Sequence, residues 1–300
     1  MKRNKLIVIA GPTAVGKTSF AVRMAKELKT EILSADARQF YKETVIGTAA
    51  PSIEEREGIT HHFIGHLSVS DYYNVYAYEQ QSIRLLDKLF ERYPFVILAG
   101  GSGLYIDAVC FGIDDLPDVD VELRESLEKR METEGLSALS EELRRLDPTY
   151  YNAVDRQNPK RILRALEVCI QTSKPYSSLR TQEKINRNFD IVRIALTLPR
   201  PVLNDRINLR THAMMEKGLL EEVRSLLPYK GLNALNTVGY KELFDYLSGK
   251  CSLETSVEKI KTNTRRYAKR QMTWFKRNND YTFFEPSQYT EILKFITDYQ

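Results

Sequence analysis

Leu6-Ile7-Val8-Ile9-Ala10 runs directly into Gly11-Pro12-Thr13-Ala14-Val15-Gly16-Lys17-Thr18. The second stretch meets the phosphate-loop pattern G-x-x-x-x-G-K-[ST] at every fixed position. In such a loop the backbone N–H groups cradle a di- or triphosphate, the lysine neutralises it, and the terminal hydroxyl can hold Mg²⁺. The flanks agree with that reading. Leu6–Ala10 is a continuous apolar run, as a buried parallel strand requires. Ser19 to Leu28 has helical spacing, with Phe20, Met24 and Leu28 on one face. The loop therefore lies between a strand and a helix N-terminus, where the helix dipole favours an anion.

Working outward, strand and helix alternate. Glu31–Ala35 reads as a second strand followed by Asp36, and Tyr72 to Arg92 as a long helix. Pro94–Ala99 reads as a third strand that ends in Gly100-Gly101-Ser102-Gly103. This alternation predicts an α/β fold, a P-loop NTPase-like parallel sheet with helices on both faces. Ligands of such sheets bind at the carboxyl ends of the strands, so Asp36 and Ser102 are expected to face the phosphate loop. The character changes near Asp114. Asp118 to Lys174 is charged, helical and without a strand-like run, and Asp147-Pro148 and Asn158-Pro159 look like capped helix starts. From Pro159 the spacing turns Ile162, Leu163, Leu166 and Ile170 toward a core. Ile191–Leu198 alternates like a strand returning to the sheet, and the rest reads as mostly helical. The expected organisation is a core in two parts, 1–117 and 188–300, around a helical insertion at 118–187.

The chain has 300 residues, 42% hydrophobic and 28% charged, the profile of a soluble globular protein. Lys2, Arg3 and Lys5 precede an apolar run too short for a secretory signal, and no stretch approaches the length of a membrane helix. Cys110, Cys169 and Cys251 form no metal or disulfide spacing, which points to a reducing cytoplasm. Net charge is only +4, but its distribution is uneven. Lys259, Lys261, Arg265, Arg266, Lys269, Arg270, Lys276 and Arg277 follow one another with no acid between them, interleaved with Tyr267, Trp274 and Phe275. This pattern fits a nucleic-acid footprint, and equally a solvated helix face with core aromatics.

A phosphate loop usually marks a nucleoside triphosphatase or kinase, which often carries an acid at the end of a later strand. The candidate strand here ends Leu98-Ala99-Gly100-Gly101-Ser102, with no carboxylate. Asp36 is then the nearest candidate base, or else a turn residue. Arg206 and Arg210 share a face of the helix expected at Val202–Met215 and can clamp a diphosphate, though exposed arginines are the commoner meaning of such a pair. His61, His62 and His66 lack partner ligands at metal spacing and read as structural.

Taken together, several segments resemble one family. They are the phosphate loop, Ser34-Ala35-Asp36-Ala37-Arg38-Gln39, Ile46-Gly47-Thr48-Ala49, Gly100-Gly101-Ser102-Gly103-Leu104-Tyr105, Arg161-x-x-Arg164-Ala165-Leu166-Glu167, Val238-Gly239-Tyr240 and Lys269-Arg270-Gln271-x-x-Trp274. In this order and over nearly the whole chain they resemble the bacterial tRNA dimethylallyltransferases, also called tRNA isopentenyltransferases. The resemblance implies transfer of a five-carbon allyl group from dimethylallyl diphosphate to N6 of the adenine 3′ of the anticodon. It implies Asp36, Ser102 and Arg210 at the reacting centre, and a diphosphate held by Gly11, Pro12, Thr13, Ala14, Val15, Gly16, Lys17 and Thr18. Thr18 would ligate Mg²⁺. The anticodon stem-loop of tRNA would be met by Asp36, Ala37, Arg38, Gln39, Ser102 and Arg124. It would also be met by Lys160, Arg161, Ile162, Leu163 and Arg164, and by Thr264, Arg265, Arg266, Lys269, Arg270 and Gln271. A cytoplasmic monomer is expected.

Three positions depart from the family pattern. Ala37 stands where Ser is usual, Ala50 where Lys is usual and Ser102 where Thr is usual. The zinc finger of eukaryotic members has no counterpart, which implies the bacterial type. The alternatives are an adenylate isopentenyltransferase acting on free AMP, ADP or ATP, a phosphate-loop kinase, and a non-catalytic RNA-binding protein switched by nucleotide.

Overall fold

A computed structural model describes residues 3–180, 184–277 and 280–298. The elements begin β1 (Lys5–Ala10), α1 (Lys17–Leu28), β2 (Ile32–Ser34), α2 (Ile53–Arg56), β3 (His61–His62), α3 (Val75–Phe90), β4 (Phe95–Gly100) and α4 (Gly103–Phe111). Four helices follow: α5 (Val121–Leu146), α6 (Pro148–Ala153), α7 (Pro159–Thr172) and α8 (Tyr176–Leu179). The chain ends with β5 (Asp190–Leu196), α9 (Arg200–Glu216), α10 (Leu219–Ser225), α11 (Tyr240–Leu247), α12 (Leu253–Arg277), β6 (Thr282–Phe284) and α13 (Tyr289–Asp298). It divides into two compact units, residues 1–110 with 186–300, and Phe111–Ile185. The helical unit thus starts before the expected 118, because the irregular segment from Gly112 belongs with it: Ile185 N donates to Phe111 O at 2.7 Å.

The first unit is a six-stranded sheet in the order β3-β2-β4-β1-β5-β6, and every pairing is parallel. β1 lies between β4 and β5, and Leu6 to Ala10 are wholly buried. Hence the strand reads as an unbroken apolar run rather than an alternating one. Its Ile7 and Ile9 pack with Phe20 and Met24 of α1, Ile207 of α9, Ala268 of α12 and Ile292 of α13. The register sets the site. Ala10 pairs with Gly100, and Ser34 pairs with Ala99, so the segments after β1, β2 and β4 leave the sheet at one edge.

Several expectations shift. α3 starts at Val75 rather than Tyr72, because the Asn74 side chain accepts from Ala77 N at 2.8 Å and caps it. The edge strands β3 and β6 are two and three residues long, too short for a periodicity to show. His62 lies in β3 and its Nε2 meets Glu31 at 2.6 Å, while His66 packs against the rings of Phe40, Phe63 and Tyr73.

The second unit is helical, with a core of Leu127, Leu139, Leu143, Ile162, Leu163 and Leu166. Ile170, expected in this core, is 39% exposed near the end of α7. The Asp147 carboxylate caps α6 through Tyr150 N at 2.9 Å, and also accepts from Ser177 N and Oγ at 2.6 and 2.7 Å. It is 1% exposed, so its loss strands buried donors. Asp147→Ala is expected to lower the opening free energy of α6 and α8 by about 3 kcal/mol. Native-state hydrogen exchange measures this, and unchanged protection there would dismiss Asp147 as the cap.

Candidate active site at the strand ends

The turn after β1 wraps tightly before α1. Gly16 takes φ 103°, a left-handed conformation that glycine adopts without a Cβ penalty, and it opens α1. Lys17 folds back over the loop and its Nζ donates to Pro12 O at 2.8 Å. Around it lies an open cleft of about 380 Å³. Its lining includes Thr13, Lys17, Thr18, Asp36, Thr48 and Arg210.

The charges are close enough to act on one another. Burial pulls the Lys17 ammonium down to about 8; Asp36 opposes that shift and Arg210 adds to it. Burial likewise lowers the Arg210 guanidinium, again opposed by Asp36. Both cations therefore pay desolvation to sit in the cleft, where Asp36 is the carboxylate acting on them and Glu55 and Glu57 also contribute to the lining; two buried cations side by side suit a polyanion. Arg210 Nη2 also donates to the Thr13 hydroxyl. Arg206, one turn earlier on α9, reaches Val15 O at 3.2 Å from an exposed position. The pair thus grips the phosphate loop, and Arg210 is the member that lines the cleft.

Asp36 follows β2, and its Oδ1 accepts from Arg38 N at 3.1 Å. Ser102 leaves the end of β4 with its N donating to Ala35 O at 3.1 Å, and its Oγ accepts from Ala37 N at 3.0 Å. Ser102 therefore ties together the two strand ends that flank the reacting region. Tyr267 joins them. Its hydroxyl lies beside Ser102, and its pKa is raised by burial and then by the charge of Asp36. In the sequence Tyr267 is one aromatic in a basic run; only the fold turns it toward Asp36.

That basic run forms α12, and the helix separates its side chains by face. Arg266, Lys269, Arg270, Lys276 and Arg277 are exposed. The aromatics turn inward: Phe275 is fully buried, and Trp274 Nε1 donates to Asp107 at 2.9 Å. Lys261 is buried and paired with Glu258 at 2.6 Å. Arg265 donates to the Thr262 hydroxyl, and Thr264 is half-buried. Gln271, expected to touch RNA, is instead a brace. It accepts from Thr13 N at 2.9 Å and donates to Gly101 O at 2.9 Å, which joins the phosphate loop to the end of β4.

Other expected contacts also have partners within the chain. The Arg38 guanidinium donates to Asn233 O and Ala234 O at 2.8 and 3.2 Å. The Gln39 amide donates to Thr48 O and Ala49 O at 3.2 and 3.1 Å. In the helical unit, Lys160 and Arg161 are exposed in the first turn of α7. Ile162 and Leu163 are buried in that unit's core, so helical periodicity removes their side chains from any RNA surface. Arg124 and Arg164 both pair with the buried Glu167, and Arg164 also donates to Pro117 O at 2.6 Å.

The family model described as IPP transferase matches residues 39–278. The chain is 52% identical over 291 residues to tRNA dimethylallyltransferase 1 of Bacteroides thetaiotaomicron, covering 97% of this chain and 94% of that protein. It is 49% identical to a tRNA dimethylallyltransferase of Christiangramia forsetii, over 99% of this chain and 97% of the relative. Among solved structures, the tRNA isopentenylpyrophosphate transferase of Bacillus halodurans superposes with a TM-score of 0.72 at 36% identity, covering 99% and 96% of the two chains. A eukaryotic dimethylallyltransferase acting on tRNA superposes with a TM-score of 0.77 at 27% identity, covering 94% of this chain and 74% of that one.

The Lys17 shift carries a pH dependence. A bound anion favours the charged ammonium, which the free cleft holds only below about 8. Affinity for an organic diphosphate is therefore expected to fall as pH rises through about 8, by up to tenfold per pH unit. Calorimetric titration of the protein and of Lys17→Met checks this. The variant binds more weakly with a shallower pH response, and an equal slope in both would remove Lys17 as the titrating group.

Proposed function

The chain belongs to the IPP transferase family, and we propose that it transfers a dimethylallyl group from dimethylallyl diphosphate to N6 of an adenine next to the anticodon of tRNA. The observation that carries the reading is the convergence of Lys17, Arg210 and Asp36 in one cleft at three strand ends. The cations suit a diphosphate, and the carboxylate suits the removal of a proton.

The chemistry follows from those groups. The adenine amine is a weak nucleophile, because its lone pair is delocalised into the ring. Asp36 accepts a hydrogen bond from the amine and then its proton, as the nitrogen lone pair forms the new N–C bond. The allylic C–O bond breaks, and its electron pair leaves with the diphosphate. The charge that develops there is met by backbone amides of the phosphate loop leading into α1, the Lys17 ammonium and the Arg210 guanidinium, all positioned beforehand. Ser102, bonded to Ala37 N and Ala35 O, holds the Asp36 segment against the end of β4. The diphosphate is released rather than hydrolysed, so no water-activating acid is needed at the end of β4.

Mg²⁺ fits the donor set. Among the described residues no cluster of three or more His, Cys, Asp or Glu is placed to hold a metal. Thr18 lines the cleft with a hydroxyl, and Mg²⁺ commonly takes few protein ligands together with substrate phosphates and water. When bound it would neutralise charge on the departing diphosphate.

In this reading RNA is met by the exposed Arg266, Lys269 and Arg270 of α12, and the helical unit makes its own contacts through the exposed Lys160 and Arg161. The target base leaves its stack to reach Asp36, at a cost of a few kcal/mol. The enzyme acts as a cytoplasmic monomer; among the described residues no helix is long and apolar enough to cross a membrane. A free nucleotide acceptor would leave this basic face without a role.

Mass spectrometry of nucleosides tests the assignment. Unmodified tRNA incubated with the protein, Mg²⁺ and dimethylallyl diphosphate is expected to gain a five-carbon group on adenosine, while AMP gains none. Asp36→Ala is expected to lose most turnover and still bind the diphosphate; near-normal turnover would remove Asp36 as the base. Lys269→Ala is expected to weaken anticodon stem-loop binding and lower the slope of log K against log salt by about 1. A titration series in salt measures that slope, and an unaltered one would detach Lys269 from the RNA.

A further inference from the structure

The segment that carries Asp36 does not end with the active site. It continues through Arg38, Gln39 and Thr44 to the turn Ile46-Gly47-Thr48-Ala49, and Thr48 and Ala49 return to line the cleft. This turn is too small to hold a position through a core of its own. Ile46 and Gly47 are half-exposed and Val45 is exposed. Its restraint comes from elsewhere in the chain.

The Glu222 carboxylate of α10 accepts two consecutive backbone amides, Ile46 N at 2.7 Å and Gly47 N at 2.9 Å. Its Oε1 also accepts from the Tyr240 hydroxyl at 2.6 Å. Charge-assisted bonds of this kind are stronger than neutral ones. Tyr240, the first residue of α11, is fully buried, and its ring lies directly on Gly47: a Cβ there would sit 2.6 Å from the ring. The other end of the turn is held by Gln39, whose amide reaches Thr48 O and Ala49 O and whose N donates to Asp36 O at 3.0 Å. Arg38 adds a second tether, to Asn233 O and Ala234 O. The path from Asp36 to α10 and α11 is therefore an unbroken series of hydrogen bonds.

We propose that Glu222, clamped with Tyr240 on Gly47, is a positioning residue that sets the Thr48–Ala49 wall of the cleft and, through Gln39, the placement of Asp36. It is not among the residues that line the cleft. It fixes a wall and a base whose angle to the acceptor must be right, while the phosphate loop is braced separately by Gln271 and Arg210. Loss of the clamp should thus lower the transfer step and spare the grip on diphosphate. Displacement of a reacting group by about 1 Å can cost on the order of 100-fold in rate.

The inference rests on the cleft being an allyl-transfer site, and the test separates the two. Full-length Glu222→Ala, Glu222→Asp and Gly47→Ala are compared with the unaltered protein. Three readouts are used: hydrogen exchange of the 44–50 peptide, calorimetric binding of dimethylallyl diphosphate, and steady-state transfer to an anticodon stem-loop RNA. Glu222→Ala is expected to speed exchange at 44–50, lower kcat by about 100-fold and leave diphosphate affinity unchanged. Glu222→Asp, which keeps the carboxylate, recovers part of the loss. Gly47→Ala reproduces the defect with Glu222 intact, and so stands as a second test if Glu222→Ala fails to fold. Normal kcat in Glu222→Ala, or equal loss of kcat and diphosphate affinity, overturns the positioning role alone. No transfer by the unaltered protein overturns the proposed function instead.

Discussion

The parallel pairing of β1 with β4 on one side and β5 on the other is the constraint on which the site depends. Because Ala10 pairs with Gly100 and Ser34 with Ala99, three chain segments leave the sheet at the same edge. Each brings what the others lack: the phosphate loop its amides and Lys17, the β2 end its carboxylate, the β4 end the hydroxyl of Ser102. A one-residue slip in either register would point the neighbouring side chains to the opposite face. The buried apolar strands make such a slip costly, so catalytic geometry is held by hydrophobic burial outside the cleft.

The cleft is assembled from cations that give up hydration. Lys17 and Arg210 are both pulled toward neutrality by burial, and Asp36 partly offsets this. A bound diphosphate would offset the desolvation of both cations by pairing with them. The neutral supports of the cleft are hydrogen bonds from distant parts of the chain: Gln271 from α12 and Ser102 from β4. The helical unit has a separate core and a separate charge arrangement, in which Glu167 is buried between Arg124 and Arg164.

Much of this was legible in the sequence, for local reasons. The loop pattern depends on residues within eight positions of one another, and an apolar run or a helical stripe depends on a few more. Asn158-Pro159 and Asp147-Pro148 announce helix starts because a side-chain cap and a fixed φ act within one turn. The short edge strands were invisible, since β3 and β6 exist through pairing rather than pattern. The basic run showed its composition but not its faces. Gln271 and Trp274 sit among lysines and arginines, and only the helix, packed against β1 and α4, turns them inward.

The sequence by itself determined the ligand class, the α/β alternation and the order of the family's motifs, because these are encoded by neighbouring residues with fixed stereochemistry. Tertiary structure decided which of the candidate residues act together. Thr13 meets Gln271 across 258 positions, and Ile46 meets Glu222 across 176. No local rule links residues so far apart. Their meeting follows from strand register and helix packing, which arise only when the whole core closes.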